Sequence, residues 1–507
     1  MSNSLLQLFA EVESLSSVPD VKVTGIVLDS REVEPGNLFI ALLGGQVDGH
    51  IYIDDAIDRG AAAIVGTENP PEGMQNYIQV ADARVALAGL SAAFYDHPSR
   101  NLSLVGITGT DGKTTTANMI FRILQESGIQ SGMITTVNAQ IGEEALDTGF
   151  HVTTPEAPDV HRYLALMESQ GLTHAVLETT SHGLAQERVG AVEFDYSVVT
   201  NITHEHLDYH GTYEDYRAAK GRLFTVLADD GVAILNRDDQ SYEYLAEVSG
   251  GRQISYGRHP DADLRAENIR HSPIGLRFTA IGAGLNMEVE CQLLGEFNVS
   301  NGLAALATTV FGMGLSPDLA LAGIASLETV PGRMEVIDMG QRFTAIVDFA
   351  HTPNALENAV KTARLLTDKR VITVFGSAGL RDREKRRLMT ESSVQLADLT
   401  VLTAEDPRTE SLDEILSEMA SGAQNQGGIE GENFWRVTDR GEAISFALDQ
   451  AKEGDVVLVL GKGHEQSMCF EEIEYPWDDR TALEASLSAA LELEGPEMPY
   501  LPTQASA

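Results

Sequence analysis

The residues whose types and spacing suit chemistry form an ordered series along the chain. The first group is Gly109-Thr110-Asp111-Gly112-Lys113-Thr114-Thr115-Thr116, which follows the apolar run LSLVGIT and precedes the helical pattern TTANMIFRILQESG. Glycines there let the backbone curl so that its N–H groups face a polyphosphate. Lys113 would reach the β- and γ-phosphates, and the Thr114 hydroxyl would sit on a magnesium ion. The spacing is not the full GxxxxGK[ST] pattern, because Ile107 occupies its first glycine position. Glu178 closes the run HAVLETT, at a strand end where α/β sheets present residues to ligands, and a carboxylate there suits Mg²⁺. His204, His206 and His210 crowd the segment NITHEHLDYHG, but the spacing is not HExxH and no cysteine is near, so zinc is disfavoured. A single histidine assisting magnesium, or packing under the loop, is the better reading. Lys220, in YRAAKGRLF, reads on its own as a solvated helix lysine.

Further on, Asn298 and Asn301 lie three apart on one helical face, placed to read an adenine edge or to cap the helix. The last third supplies Arg333 in PGRME, Asp348 and His351 in VDFAHTPNA, Arg381 in GSAGLRDREKRR, the turn Glu405-Asp406-Pro407-Arg408, and GKGHE from Gly461 to Glu465. Two of these, GSAG and GKG, are glycine-rich turns after strands, the positions that line a ligand crevice in a doubly wound sheet.

The elements that must position these groups are those of an α/β protein. The chain has 507 residues, enough for about three domains at ~100–200 residues each. Residues 1–97 mix short strands (VTGIVLDS, LFIALLG) with a helical stretch, DDAIDRGAAAIV, and end at the break FYDHPSRN. Residues 98–329 alternate strands and helices, the pattern of a parallel sheet with crossover helices, and residues 330–507 repeat it. The acidic tail from about Glu494 to Ala507 is expected to fray. Thirty-five basic against 76 acidic residues give a net charge of −41, which disfavours nucleic acid and acidic membrane surfaces as partners. A chain so acidic must place its positive charge deliberately to hold phosphates or carboxylates. Two cysteines cannot form a disulfide scaffold and are expected in the core. The first residues lack the features of a signal peptide and no run approaches a membrane span, so a cytoplasmic protein is expected.

Taken together, these motifs resemble those of the Mur ligases, ATP-dependent amide-bond-forming enzymes of peptidoglycan precursor synthesis, and within them the type that adds the third stem-peptide residue. The resemblance runs from LDSREVEPGNLFIALLGGQVDGH to YPWDDR. It implies an N-terminal UDP-sugar domain, a central P-loop-type parallel-sheet ATPase domain and a C-terminal Rossmann-like domain. Leu28, Ser30, Gly45, Gln46 and Val47 would hold the UDP-sugar, with Thr153, Thr154, Thr180, Gln186 and Arg188 on the sugar-peptide. Gly109 to Thr115, together with Asn298, Asn301, Arg333 and Asp348, would hold ATP. Thr114, Glu178 and His206 match magnesium positions, and Lys220 matches a lysine that becomes an N6-carboxylysine, an oxygen ligand for a second Mg²⁺. Arg381, Glu405, Asp406, Pro407, Arg408, Gly461 and Glu465 fall on the pocket for the incoming amino acid.

The resemblance further implies a cytoplasmic monomer acting on UDP-MurNAc-L-Ala-D-Glu, ATP and a diamino acid. Departures from the family pattern are Asp111 for asparagine, GLRDREKRR for GDRDxGKR, Gly45 for a histidine of some relatives, and EDPR for DNPR. Arg408 and Arg381 favour meso-2,6-diaminopimelate, whose distal carboxylate needs a bidentate cation. Asp406 opposes that choice, since a like charge ~4 Å away costs about 4 kcal/mol at an effective dielectric of about 20. L-Lysine or L-ornithine is therefore the alternative. The related-enzyme alternatives are another Mur-step ligase and a folylpolyglutamate-type ligase, the latter disfavoured by the N-terminal DSRxVxPGxLF segment; a non-catalytic nucleotide-binding scaffold is disfavoured by Lys113, Glu178, His206 and Lys220.

Overall fold

The computed structural model describes residues 3–504 except 13–17, 45–46, 71–73, 75, 138, 143, 147–152, 204 and 273. Contacts divide the chain into two compact units. One comprises Met1–Glu205, Thr212–Ala262 and Ala304–Ala320; the other comprises His206–Gly211, Asp263–Leu303 and Leu321–Ala507.

In the first unit, the strands Ile26–Val27, Leu38–Ile40, Ala63–Gly66 and Tyr77–Gln79 pair in that order, all parallel. Their apolar runs are buried against the helix Ala83–Phe94, which Asp82 caps by accepting from the N–H groups of Arg84 and Val85. The stretch expected as one helix, DDAIDRGAAAIV, divides in two. Its helix ends at Asp58, Gly60 takes φ +98° at the exit, and Ala63–Gly66 enters the sheet.

The larger sheet of this unit runs Glu144–Leu146, Ala139–Ile141, Ser131–Ile134, His174–Glu178, Ser103–Thr108, Phe194–Val199, Leu227–Asn236, Arg252–Gly257. The six strands from Ser131–Ile134 onward are parallel, and the first two add an antiparallel edge. Thr108, Glu178 and Val199 thus end side by side at the carboxyl edge, each followed by one of the segments singled out from sequence.

The second unit holds an antiparallel trio, Leu264–Ser272, Gly275–Gly282 and Leu285–Cys291, which the alternating βα pattern did not anticipate. Its other large sheet runs Glu335–Ile337, Thr344–Asp348, Val456–Leu460, Val371–Phe375, Leu399–Leu402, Phe434–Arg436, with the last five parallel. The chain order reverses beside Val456–Leu460, and the turns after Asp348, Leu460, Phe375 and Leu402 share one edge.

The tail does not fray over its described part. Leu501 is fully buried in the core under this sheet, and Thr503 Oγ1 donates to Asp439 at 2.7 Å. Cys291 is buried as expected, whereas Cys469 is only half-buried, on a hairpin strand. No helix among the described residues is long and apolar enough to cross a membrane.

Candidate functional site

In the first unit the loop Gly109–Gly112 leaves the strand Ser103–Thr108 and feeds the helix Lys113–Glu126. Gly112, at φ +84°, is the residue before the helix and offers no side chain to cap it, so the first N–H groups stay available to an anion. Gly109, at φ +151°, passes so close to the next strand end that a Cβ would stand 1.9 Å from Thr200 Oγ1. The loop is braced from that side. Thr110 N–H donates to Asn201 O at 2.7 Å, Asp111 N–H to Asn201 Oδ1 at 3.0 Å, and Thr200 Oγ1 to Asp111 O at 2.6 Å. Lys113 Nζ folds back onto Thr110 O at 2.8 Å, a bond that a bound phosphate would replace.

Glu178 is buried at its strand end and accepts from Thr114 Oγ1 at 2.9 Å. These are two hard oxygen donors at the start of the phosphate-loop helix, and the set fits Mg²⁺. The backbone beyond Glu178 is tied by Thr154, whose Oγ1 donates to Glu178 O at 3.2 Å and accepts from Thr180 N–H at 2.9 Å. Arg188 donates to Thr154 O at 2.9 Å and to Gln186 Oε1 at 2.8 Å, and pairs with Glu156 at 3.0 Å. Thr154, Thr180, Gln186 and Arg188 are therefore one cluster, with Thr153 next to it in the chain.

Lys220 departs from its reading as a solvated lysine. The helix Tyr213–Thr225, capped by Thr212, buries Tyr216, Ala219, Lys220, Leu223 and Phe224. That is the i, i+3, i+4, i+7, i+8 stripe of a core-facing helix, and the lysine sits in its middle. Its Nζ donates to Gly109 O at 2.6 Å and lies over the Tyr216 ring. Burial, with Lys113 nearby, pushes its pKa well below the usual lysine range against the pull of Glu205, Asp111 and Glu178. Tyr216, absent from the sequence reading, bonds Thr110 Oγ1 through its hydroxyl at 3.0 Å. The hydrophobic period of YRAAKGRLF carries a signal for both residues.

Of the expected UDP-sugar residues, Ser30 is buried in a short turn capped by Asp29, Leu28 is partly buried, and Val47 is exposed. Gly45 and Gln46 lie outside the described residues, as does His204.

In the second unit, His206 is exposed, with φ +56°, before the short helix Leu207–His210. Asn301 Nδ2 donates to Asn298 Oδ1 and Asn298 Nδ2 to Leu294 O, both at 2.8 Å, so the two amides are coupled to each other. Asp348 accepts from Met334 N–H at 2.7 Å and Ala350 N–H at 2.8 Å, which sets the PGRM turn against its strand end. Arg333 lies over the Phe349 ring.

Nearby, the EDPR and GKGHE turns meet. Glu405 is buried, and its Oε2 has no hydrogen-bond partner among the described residues; burial pushes its carboxyl up, opposed by Arg440, Lys385 and His351. A Cβ on Gly461, at φ +110°, would stand 2.2 Å from Glu405 Oε2, so a side chain there would need both a strained backbone and a shift of that carboxylate. Asp406 is bound by Lys462 Nζ at 2.9 Å and by Cys469 N–H at 2.9 Å. Lys462 also pairs with Glu465. Although burial works against the charge, Glu465 and Asp406 hold the Lys462 ammonium above the usual lysine range. Asp406 and Arg408 have positive φ on either side of Pro407, and Gly379 N–H donates to Asp406 O at 2.9 Å. Arg381 is exposed, ahead of the helix Arg383–Leu396. Lys462 was missed because Asp406, one of its two carboxylate partners, is distant in sequence.

Three family models match successive parts of the chain. They are the Mur ligase family catalytic domain over residues 22–95, the Mur ligase middle domain over 107–309, and the Mur ligase glutamate ligase domain over 332–463. The chain is 42% identical over 483 residues to a UDP-N-acetylmuramyl-tripeptide synthetase of Roseiflexus sp., covering 92% of this chain and 95% of the relative. It is 40% identical over 475 residues to a UDP-N-acetylmuramoyl-L-alanyl-D-glutamate--2,6-diaminopimelate ligase of Geobacillus kaustophilus, with the same coverage of 92% and 95%. A solved structure of another ligase of that name matches with a TM-score of 0.66 at 30% identity, over 97% of this chain and 100% of the other.

Proposed function

This chain belongs to the Mur ligase family, and from that premise we propose that it adds meso-2,6-diaminopimelate to UDP-MurNAc-L-Ala-D-Glu, converting ATP to ADP and phosphate. It is an ATP-dependent acid–amino-acid ligase of the kind that adds the third residue to the UDP-MurNAc-dipeptide in peptidoglycan precursor synthesis. One observation supports diaminopimelate as the amino acid. Asp406, the residue that opposed a distal carboxylate, is already paired with the buried Lys462. The half-buried guanidinium of Arg408, by contrast, has no carboxylate partner among the described residues. A distal carboxylate would meet a cation rather than a bare negative charge. L-Lysine or L-ornithine is the second reading, favoured by Glu405, Asp406 and Glu465 outnumbering Lys462 around these turns.

The chemistry follows from charge. A carboxylate does not accept an amine directly, so the D-Glu γ-carboxylate first takes the γ-phosphoryl group of ATP. Lys113 and the N–H groups at the start of its helix are placed to hold the transferring group, where positioning and electrostatics supply most of the rate. The family uses ATP with Mg²⁺; Thr114 and Glu178 would hold the ion here, and it would neutralise phosphate charge. The amine of the third amino acid then attacks the acyl phosphate, and phosphate leaves from the tetrahedral intermediate. Asn298, Asn301, Arg333 and Asp348 are read as further ATP contacts. Leu28, Ser30, Gly45, Gln46 and Val47, with the cluster around Thr154, are read as the nucleotide-sugar site. Its ATP and nucleotide-sugar substrates support a cytoplasmic reaction.

Lys220 is read as an N6-carboxylysine. A buried amine whose charge is disfavoured is nucleophilic toward carbon dioxide, and the resulting carbamate is an oxygen donor. The test of the amino-acid reading is kcat/KM for diaminopimelate, lysine and ornithine, before and after Arg408→Ala. Diaminopimelate should lead in the parent protein and lose its lead in the variant. Preference for lysine or ornithine, unchanged by losing Arg408, would reverse the choice.

A further inference from the structure

The helix Arg440–Gln450 begins with a charged side chain that the ligation chemistry leaves unused. Arg440 and Asp479 are each fully buried. The guanidinium forks onto Asp479, Nε to Oδ1 and Nη2 to Oδ2, both at 2.7 Å. Its remaining N–H groups reach two backbone carbonyls, Nη1 to Ala404 O at 3.1 Å and Nη2 to Leu460 O at 2.8 Å. Trp477 Nε1 fixes the carboxylate from the other side, donating to Asp479 Oδ1 at 2.9 Å.

The two carbonyls are those of the residues immediately before Glu405 and Gly461. One planar group therefore sets the separation of the two turns whose side chains and backbone meet at Glu405 and Gly461. Glu405 Oε2 lies against the Gly461 backbone and Lys462 bonds Asp406, so a change in the separation of the turns would bear on these groups. A buried ion pair adds little net stability over apolar residues of similar volume; what it supplies here is four directional bonds that tie Asp479 to two backbone carbonyls. Lysine cannot substitute, since a tetrahedral ammonium with three donors cannot reproduce four bonds in one plane.

We infer that Arg440, oriented by Asp479, is a positioning residue that sets the spacing of the Glu405–Arg408 and Gly461–Glu465 turns and thereby the affinity for the incoming amino acid. The inference rests on the proposed role of those turns as the amino-acid pocket.

The experiment compares Arg440→Lys, Asp479→Asn and Arg408→Ala in the full-length enzyme, with separate KM values for the amino acid, ATP and UDP-MurNAc-dipeptide, and a thermal melt for each. Arg440→Lys should raise the amino-acid KM about tenfold or more while the other two KM values stay within about twofold. Asp479→Asn should move the same constant in the same direction. If Arg408→Ala raises the amino-acid KM and neither of the other variants does, the positioning role is overturned while the pocket stands. If Arg408→Ala also leaves that KM unchanged, the pocket reading itself falls. A lowered melting temperature with all three KM values unchanged, or failure of both Arg440→Lys and Asp479→Asn to fold, assigns the pair to fold stability alone and overturns the inference.

Discussion

Lys220 Nζ donates to the carbonyl oxygen of Gly109 at 2.6 Å, joining the buried face of one helix to the first residue of the phosphate loop across 111 positions of sequence. The bond puts an amine of depressed pKa directly behind the loop that the family uses for ATP.

That depressed pKa makes stability depend on pH. Between its folded-state pKa and the unfolded value of 10.5, the unfolded chain binds more protons at this lysine than the folded chain does. The lysine's penalty on folding therefore grows as pH falls through that window and vanishes above it. Lys220→Met, in carbon-dioxide-depleted buffer, should be more stable than the parent, with a gain that grows toward lower pH by at most about 1.4 kcal/mol per unit. Denaturant melts from pH 7 to 10 measure it; a pH-independent offset would exclude a depressed lysine.

Activity should answer differently at the same position. Lys220→Ala should be nearly inactive and partly rescued by a small carboxylate, because an added carboxylate restores the oxygen donor of a carbamate. Full activity in that variant would remove the carbamate.

Lys113→Ala should lose about 10²-fold or more in kcat, the usual scale for removing one preorganised electrostatic contact. Its melting temperature should stay near the parent's, since Lys113 is only half-buried and, among the described residues, its side chain bonds only its own loop. Steady-state turnover and a thermal melt separate the two effects.

Gly461→Ala should fail doubly. Its Cβ would overlap Glu405 Oε2, and φ +110° is strained for any L side chain, a penalty of roughly 1–2 kcal/mol before the clash. A lower melting temperature with a raised amino-acid KM is expected; unchanged values of both would contradict the close approach.

Asp406→Asn should alter the preference between diaminopimelate and lysine by less than about tenfold, because that carboxylate is already engaged by Lys462 and the Cys469 N–H. Arg408→Ala should remove a charge-assisted contact of about 1.5–3 kcal/mol, and so reduce kcat/KM for diaminopimelate more than tenfold. Parallel kinetics with both amino acids measure the two ratios.

The phosphate loop was legible because glycines, a strand and a helix sit consecutively in the chain, and local physics fixes their conformation. Glu178 was legible as a strand end for the same reason. Tyr216 and the burial of Lys220 were written in the helical period of YRAAKGRLF, but a lysine in an apolar stripe reads locally as a surface residue whose stem packs down. The pairing of Asp406 with Lys462 and the fork of Arg440 depend on which strands end side by side, and that order follows from the whole sheet rather than any segment. The split of DDAIDRGAAAIV turned on one glycine. The docking of the tail turned on Leu501 and Met498, two apolar residues among prolines that pack into the core under the sheet.

The central claim is tested most directly by phosphate release from ATP and Mg²⁺ with the purified protein, omitting one component at a time. The account predicts release only when both UDP-MurNAc-L-Ala-D-Glu and a diamino acid are present, with one phosphate per tripeptide formed. Release that needs no UDP-MurNAc-dipeptide, or nucleotide binding without turnover in the complete mixture, would contradict it.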